Sequence, residues 1–179
     1  YILATMATKG RLILNNFNPD DLTFPLKIYQ DMGLKIKKIS KSSYEFNCKT
    51  LKPIKKISTK EFPGYPTDLQ AQLIATQIKS ALKSKVVENI FENRFIHIPE
   101  LRRFGANLSI IGKTVTIHKT LNLFGAEVMA TDIRASFSLI IAAMMSKGTT
   151  VINRIYHLDR GYEDFDLKLK KCGVNISRK

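Results

Sequence analysis

Two strings in this 179-residue chain place a carboxylate at what looks like a helix start: Pro66-Thr67-Asp68-Leu69-Gln70-Ala71-Gln72 and Ala130-Thr131-Asp132-Ile133-Arg134-Ala135-Ser136. An Asp in a first helical turn can accept a proton from a bound hydroxyl, or it can simply complement the helix dipole. The loop Phe62-Pro63-Gly64-Tyr65-Pro66 before Asp68 favours chemistry, because two prolines and a glycine fix its path. Arg134 and Arg160 stand out, since only eight of the 29 Lys and Arg residues are Arg. A planar guanidinium grips carboxylate or phosphate in a way that an ammonium does not. Arg160 lies in Tyr156-His157-Leu158-Asp159-Arg160-Gly161-Tyr162, a polar turn between strand and helix. Its alternative role is a salt bridge with Asp159 or Glu163. Arg94, in Phe91-Glu92-Asn93-Arg94-Phe95, is open to ligand contact or to a turn bond with Glu92 or Asn93.

Other reactive residue types point to structure. His97, His118 and His157 have no metal-ligand spacing, and no metal site is expected. Cys172 precedes Gly173 at a position where similar strings carry Met32 and Phe104, so it reads as core packing. Cys48 beside Lys49 could have a modestly lowered pKa, but no His accompanies it, and neither cysteine is assigned to catalysis.

The elements that must position these residues show an internal repeat. A helix-like run ending on Gly and followed by β alternation occurs at Leu26 to Ile36, at Ile98 to Leu108 and at Asp166 to Ile176. Gly33, Gly105 and Gly173 then end helices in the left-handed conformation, which glycine adopts without steric cost. These glycines are roughly seventy residues apart. Upstream of each lies another helix and strand: Tyr1 to Thr8 with Arg11 to Asn15, Asp68 to Leu82 with Val86 to Phe91, and Asp132 to Met145 with Thr149 to Ile155. Further strands are expected at Ser43 to Asn47, Thr114 to His118 and Gly173 to Ser177. The pattern predicts an α/β fold of three units, about 1–58, 59–125 and 126–179. Thr67 with Gln70 forms a capping-box pattern, and Thr131 is the expected cap of its own helix. The first unit opens inside a helix and the third lacks a hairpin partner, so the domain is expected to be incomplete at both ends and part of a longer protein.

Composition narrows the function class. A 44% hydrophobic and 25% charged chain of 20.3 kDa is that of a folded domain with one core. The net charge of +14 comes mostly from dispersed Lys, with no aromatic-basic motif for stacking bases, so no nucleic-acid partner is expected. The longest apolar run, Phe137 to Met145, is too short to span a bilayer, and no signal-peptide pattern opens the chain. Two cysteines make no disulfide framework, which suits a reducing compartment.

The strings around Asp68, Arg94, Asp132 and Arg160 resemble, in order, those of the UDP-N-acetylglucosamine 1-carboxyvinyltransferases, members of the enolpyruvyl transferase family. The resemblance implies an inside-out α/β barrel domain of three repeated units, with the family's second domain outside this chain. It implies transfer of the enolpyruvyl group of phosphoenolpyruvate to the 3-hydroxyl of UDP-N-acetylglucosamine through a tetrahedral intermediate, with phosphate leaving and no cofactor. This is the first committed step of cytoplasmic peptidoglycan synthesis, tied to cell shape and division. Asp68 matches the base for the sugar hydroxyl, Arg134 and Arg160 match arginines facing phosphoenolpyruvate, and Asp132 matches an acidic residue near the reacting carbon. Thr67, Ile90, Phe91 and Arg94 match positions around the sugar nucleotide. The family's reactive loop cysteine and N-terminal lysine fall outside this sequence, so the chain holds about half of an active site and is expected to be inactive alone. Phe137 stands where the family has a small residue, and Phe124 is bulky beside Gly125. The alternatives are a 3-phosphoshikimate 1-carboxyvinyltransferase, or a non-catalytic basic binding domain.

Overall fold

Three helices carry between them a single charged residue, Arg134, and so have no charged face to keep in water; such helices belong in an interior. In the computed structural model, which describes residues 1–80 and 82–178, α1 (Ile2–Ala7) and α3 (Gln70–Gln77) are buried at every position. The third helix, α5 (Ile133–Met145), is buried from Ala135 to Ala142 and packs against both. Sheets and amphipathic helices surround this centre. One sheet has the order β1 (Arg11–Leu14), β3 (Tyr44–Asn47), β2 (Lys35–Lys38), all antiparallel. A second has the order β4 (Ile57–Ser58), β5 (Ser84–Val87), β7 (Thr114–Ile117), β6 (Leu108–Ile111), with β4 parallel to β5. A parallel pair, β8 (Glu127–Met129) and β9 (Val151–Asn153), flanks α5.

Outer helices α2 (Thr23–Asp31), α4 (Ile98–Arg103) and α7 (Phe165–Lys171) each bury one stripe. Just beyond them Gly33, Gly105 and Gly173 take φ of 105°, 88° and 90°, the left-handed values that end a helix. The buried Gln77 side chain at the end of α3 is bonded at both polar atoms: its Oε1 accepts from the Ile54 N–H and the Ser84 hydroxyl, and its amide nitrogen donates to the Lys52 carbonyl. Phe137 is 2% exposed, with the Tyr162 ring stacked on it at 4.6 Å and the Tyr1 ring edge-on at 5.5 Å. A large aromatic is thus accommodated where the resemblance implies a small residue.

Several sequence expectations are corrected. The α3 helix stops at Gln77 instead of Leu82, and the Gln77 side chain ties that end to residues 52–54 and to Ser84. The next strand is Ser84–Val87 instead of Val86 to Phe91: the Glu88 N–H still donates to the Lys113 carbonyl at 2.8 Å, after which the Glu88 carboxylate draws the Ile90 and Phe91 N–H groups into a turn. Residues 173–177 form no strand, having no partner among the described residues. Cys172 is exposed, unlike buried Met32 and Phe104, since α7 turns only Phe165 and Leu169 inward. Cys48 is buried, which pushes its thiol pKa up and outweighs the opposing effects of the Thr50 backbone bond and Lys9.

Candidate functional site

Proline at position 66, in extended backbone, forces the chain into a short 3-10 turn, Thr67–Leu69, ahead of α3. This turn holds Asp68 outward, with its side chain 70% exposed. Two arginines from distant segments meet there: Arg94 Nη1 donates to Asp68 Oδ1 at 2.9 Å and Arg134 Nη1 donates to the same oxygen at 3.1 Å. The Arg94 guanidinium also lies 4.0 Å from the centre of the Phe91 ring, a cation–π arrangement that fixes its plane. The Arg94 hydrogen bond lowers the Asp68 pKa below its ordinary value, with partial burial opposing and the Arg134 bond reinforcing the shift. Asp68 is therefore an exposed, ionised acceptor under a double positive clamp.

Asp132 is built differently. Its backbone is extended, and its Oδ1 accepts from the backbone N–H groups of Arg134 at 2.8 Å and Ala135 at 2.9 Å. It is the N-cap of α5, a role assigned from sequence to Thr131, because a carboxylate one residue later reaches the orphan donors first. The Arg134 Nε lies 3.5 Å from the same oxygen, so Arg134 bridges Asp132 and Asp68. The capping box expected of Thr67 and Gln70 does not form either. Both side chains donate to Glu88 Oε2, Thr67 at 2.8 Å and Gln70 at 3.4 Å.

Ile90 and Phe91 enter through backbone bonds, their N–H groups reaching Glu88 Oε1 at 2.8 and 3.2 Å. Arg94 thus takes neither of the turn bonds open to it from sequence. Behind this layer His97 is 2% exposed, with Nε2 unpartnered. Burial lowers its pKa to about 4, while the Asp132 charge and a bond to the Arg94 carbonyl raise it and Arg134 lowers it further.

Arg160 stands apart from the Asp68 clamp. It follows the short helix α6 (Tyr156–Asp159) and lines an open concavity of about 420 Å³ bounded by residues 159–164. Its sequence-level ion-pair partners are engaged elsewhere, Asp159 with Arg178 and Glu163 with Lys168 at 2.9 Å. Arg160 makes no ion pair among the described residues. The loop is nonetheless seated against the start of α5, where the backbone of Gly161 lies so close to Ile133 that a Cβ would collide with its side chain.

The structure thus brings Asp68, Arg94, Arg134 and Asp132 into one network, ties Thr67, Ile90 and Phe91 to it through Glu88, and leaves Arg160 on the adjoining loop. Glu88 is the residue that sequence reasoning missed. Its signal was an acidic residue ending the strand run Val86-Val87. Among the described residues no group of three or more His, Cys, Asp or Glu could hold a metal, and no helix is long and apolar enough to cross a membrane.

Three central helices enclosed by sheets, with an exposed carboxylate clamped by two arginines ahead of one of them, define an α/β domain that carries a cluster of opposite charges. Residues 1–169 match the model of the EPSP synthase (3-phosphoshikimate 1-carboxyvinyltransferase) family, and the chain belongs to that family. Among its relatives, the UDP-N-acetylglucosamine 1-carboxyvinyltransferase of Pelagibacter ubique is 45% identical over 178 residues, covering 99% of this chain and 42% of that protein. Those of Campylobacter lari and Bartonella henselae are 45% and 46% identical, with the same coverage of 99% and 42%. The chain therefore spans about 42% of the length of these relatives. The fold matches that of the enolpyruvyl transferase NikO from Streptomyces tendae with a TM-score of 0.86 at 22% identity, over 98% of this chain and 43% of that one. An EPSP synthase from Acinetobacter baumannii matches with a TM-score of 0.62 at 15% identity, over 84% of this chain and 38% of that one.

Proposed function

We propose that this chain supplies the base-and-arginine part of a longer enzyme that moves the enolpyruvyl group of phosphoenolpyruvate onto the 3-hydroxyl of UDP-N-acetylglucosamine. The observation that carries the proposal is Asp68, exposed and held by Arg94 and Arg134, in a chain 45% identical to proteins named for that reaction. The domain is read as an inside-out α/β barrel of three units, 1–58, 59–125 and 126–179. A second domain, outside this sequence, completes the site, and the product feeds peptidoglycan synthesis in the cytoplasm.

In this reading Asp68 takes the proton of the sugar 3-hydroxyl as its oxygen attacks the central carbon of phosphoenolpyruvate and the methylene carbon gains a proton. The tetrahedral adduct then loses that carbon's proton and expels phosphate, which restores the double bond. Arg134 and Arg160 hold the donor's phosphate and carboxylate charges, where fixed positive groups stabilise an anionic transition state. A free Asp68 is a better base than a doubly clamped one. An incoming polyanion competes for the Arg134 guanidinium and so returns basicity to Asp68 at the moment both substrates are present. Asp132, with one oxygen committed to the α5 cap, holds Arg134 near the donor, and Thr67, Ile90, Phe91 and Arg94 line the sugar-nucleotide side.

The test is phosphate release by the complete protein. Release from phosphoenolpyruvate only when UDP-N-acetylglucosamine is present supports the assignment, whereas equal turnover with shikimate 3-phosphate moves the protein to the sister reaction. Salt-sensitive nucleic-acid binding at sub-micromolar affinity, indifferent to sugar nucleotide, would replace the enzyme reading altogether.

A further inference from the structure

Glu88 is 1% exposed, yet no cation pairs with it among the described residues. Five donors converge on it instead. Oε1 accepts from the Thr59 hydroxyl at 2.9 Å and from the backbone N–H groups of Ile90 and Phe91. Oε2 accepts from the Thr67 hydroxyl and, at longer range, from the Gln70 amide. The Thr59 hydroxyl in turn accepts from the Asn89 N–H at 2.8 Å. One carboxylate therefore joins the end of β4, the turn that carries Asp68 and the loop that carries Phe91 and Arg94.

Burying a carboxylate among neutral donors is costly, and a neutral amide would link the same segments with less desolvation. A carboxylate differs from an amide in being acceptor-only, so it dictates where each neighbouring hydrogen points. Thr67 Oγ1 has a single hydrogen and spends it on Glu88. Toward a ligand it can then offer only lone pairs. The two loop N–H groups are consumed in the same way, which fixes the Phe91 ring under Arg94 and hence the line from Arg94 to Asp68.

We infer that Glu88 is a positioning residue for the sugar-nucleotide side of the site, locking the Thr67–Asp68 turn to the Ile90–Phe91 loop and presenting the Thr67 hydroxyl as an acceptor for a ligand N–H or O–H. This inference rests on the proposed carboxyvinyl transfer. Glu88→Gln keeps the size and one acceptor oxygen, and the backbone N–H pair retains that oxygen. Its amide nitrogen then faces Thr67, whose hydroxyl must reverse and point its hydrogen at the ligand.

In the complete protein, Glu88→Gln should raise KM for UDP-N-acetylglucosamine about tenfold, the size expected for one reversed buried hydrogen bond, while KM for phosphoenolpyruvate moves less than about twofold. Thr67→Val should give a similar rise alone and little further rise combined with Glu88→Gln, since both remove the same oriented hydroxyl. Unchanged KM values in a folded, active Glu88→Gln protein overturn the inference, as does a lowered melting temperature with normal KM values. If Glu88→Gln fails to fold, Thr67→Val alone decides, and a normal KM for the sugar nucleotide is the overturning result. Absence of any phosphate release by the wild-type protein defeats the proposed function instead. Amide hydrogen exchange on this chain then tests the lock itself: faster exchange at Ile90 and Phe91 in Glu88→Gln supports it, and unchanged exchange overturns it.

Discussion

Thr67-Asp68 and Thr131-Asp132 are nearly the same words at the start of two central helices, but the fold uses them in opposite ways. At the start of α5 the carboxylate folds back on its own helix, with Asp132 accepting from two backbone N–H groups. Ahead of α3 the carboxylate points away, and its bonding partners are side chains from 26 and 66 residues further along the chain. The cause lies in the neighbours. Pro66 starts the chain in a 3-10 turn, and the Thr67 hydroxyl is drawn to Glu88, so neither side chain caps the helix. A helix start offers a carboxylate either its own backbone or a ligand, and a buried acceptor behind the turn decides which.

The sharpest break between the two is chemical. Asp68→Asn keeps the shape of the turn but loses the proton acceptor, so turnover in the complete protein should fall at least about 100-fold with little change in melting temperature. Near-normal turnover would reduce Asp68 to a surface ion pair. Asp132→Asn should behave unlike it, because Asn caps a helix about as well as Asp. If Asp132→Asn costs turnover as severely as Asp68→Asn, the division between a chemical and a structural carboxylate fails.

A second difference is electrostatic and shows in acid. His97 lies behind Asp132 and Arg134 and has a folded pKa of about 4, lowered chiefly by burial. The unfolded chain binds a proton at His97 near its ordinary pKa of about 6.5, so between that value and 4 the unfolded state holds more protons. Stability from this group is fully present above pH 6.5 and declines as pH falls toward 4, by on the order of 3 kcal/mol. His97→Asn keeps a donor for the Arg94 carbonyl and removes the titration, so its melting temperature should fall less steeply over that window. An identical acid limb in both proteins would show that His97 is not the responsible group. The Asp68 side of the pair gives no such stability signal, since its carboxylate is largely exposed and screened.

Much of the site was legible because its residue types are costly to place by chance: an Arg in a Lys-rich chain, and an Asp after a rigid Pro-Gly-Tyr-Pro loop. Asp68, Arg94, Arg134 and Asp132 do come together in space. The three helix-ending glycines were legible because the left-handed backbone restricts the residue strongly. What sequence could not show was the choice among hydrogen-bond partners. Thr67 and Gln70 fit a local capping box, yet a carboxylate 21 and 18 residues away wins both. At the ends of α3 and β5, too, the Gln77 and Glu88 side chains bond groups as far as 25 and 29 residues away. Local patterns carry no information about such competition.

The removal of the α5 cap should come next in size. Asp132→Ala strips two backbone donors of their acceptor, and loss of an N-cap costs about 1 kcal/mol, read as a lower melting temperature. The smallest effect is expected at Thr131, and it separates two accounts of how α5 begins. Local sequence favours Thr131 as the cap, which would make Thr131→Ala as damaging as Asp132→Ala. The structure gives the cap to Asp132, and Thr131 is exposed, with its hydroxyl making no hydrogen bond among the described residues. Thr131→Ala should then shift stability by less than about 0.5 kcal/mol, the range of ordinary surface substitutions. Thermal melts of the two alanine variants side by side decide the matter. A loss at Thr131 equal to that at Asp132 would mean that α5 starts one residue earlier, leaving Asp132 free of its cap and able, like Asp68, to turn outward to a ligand.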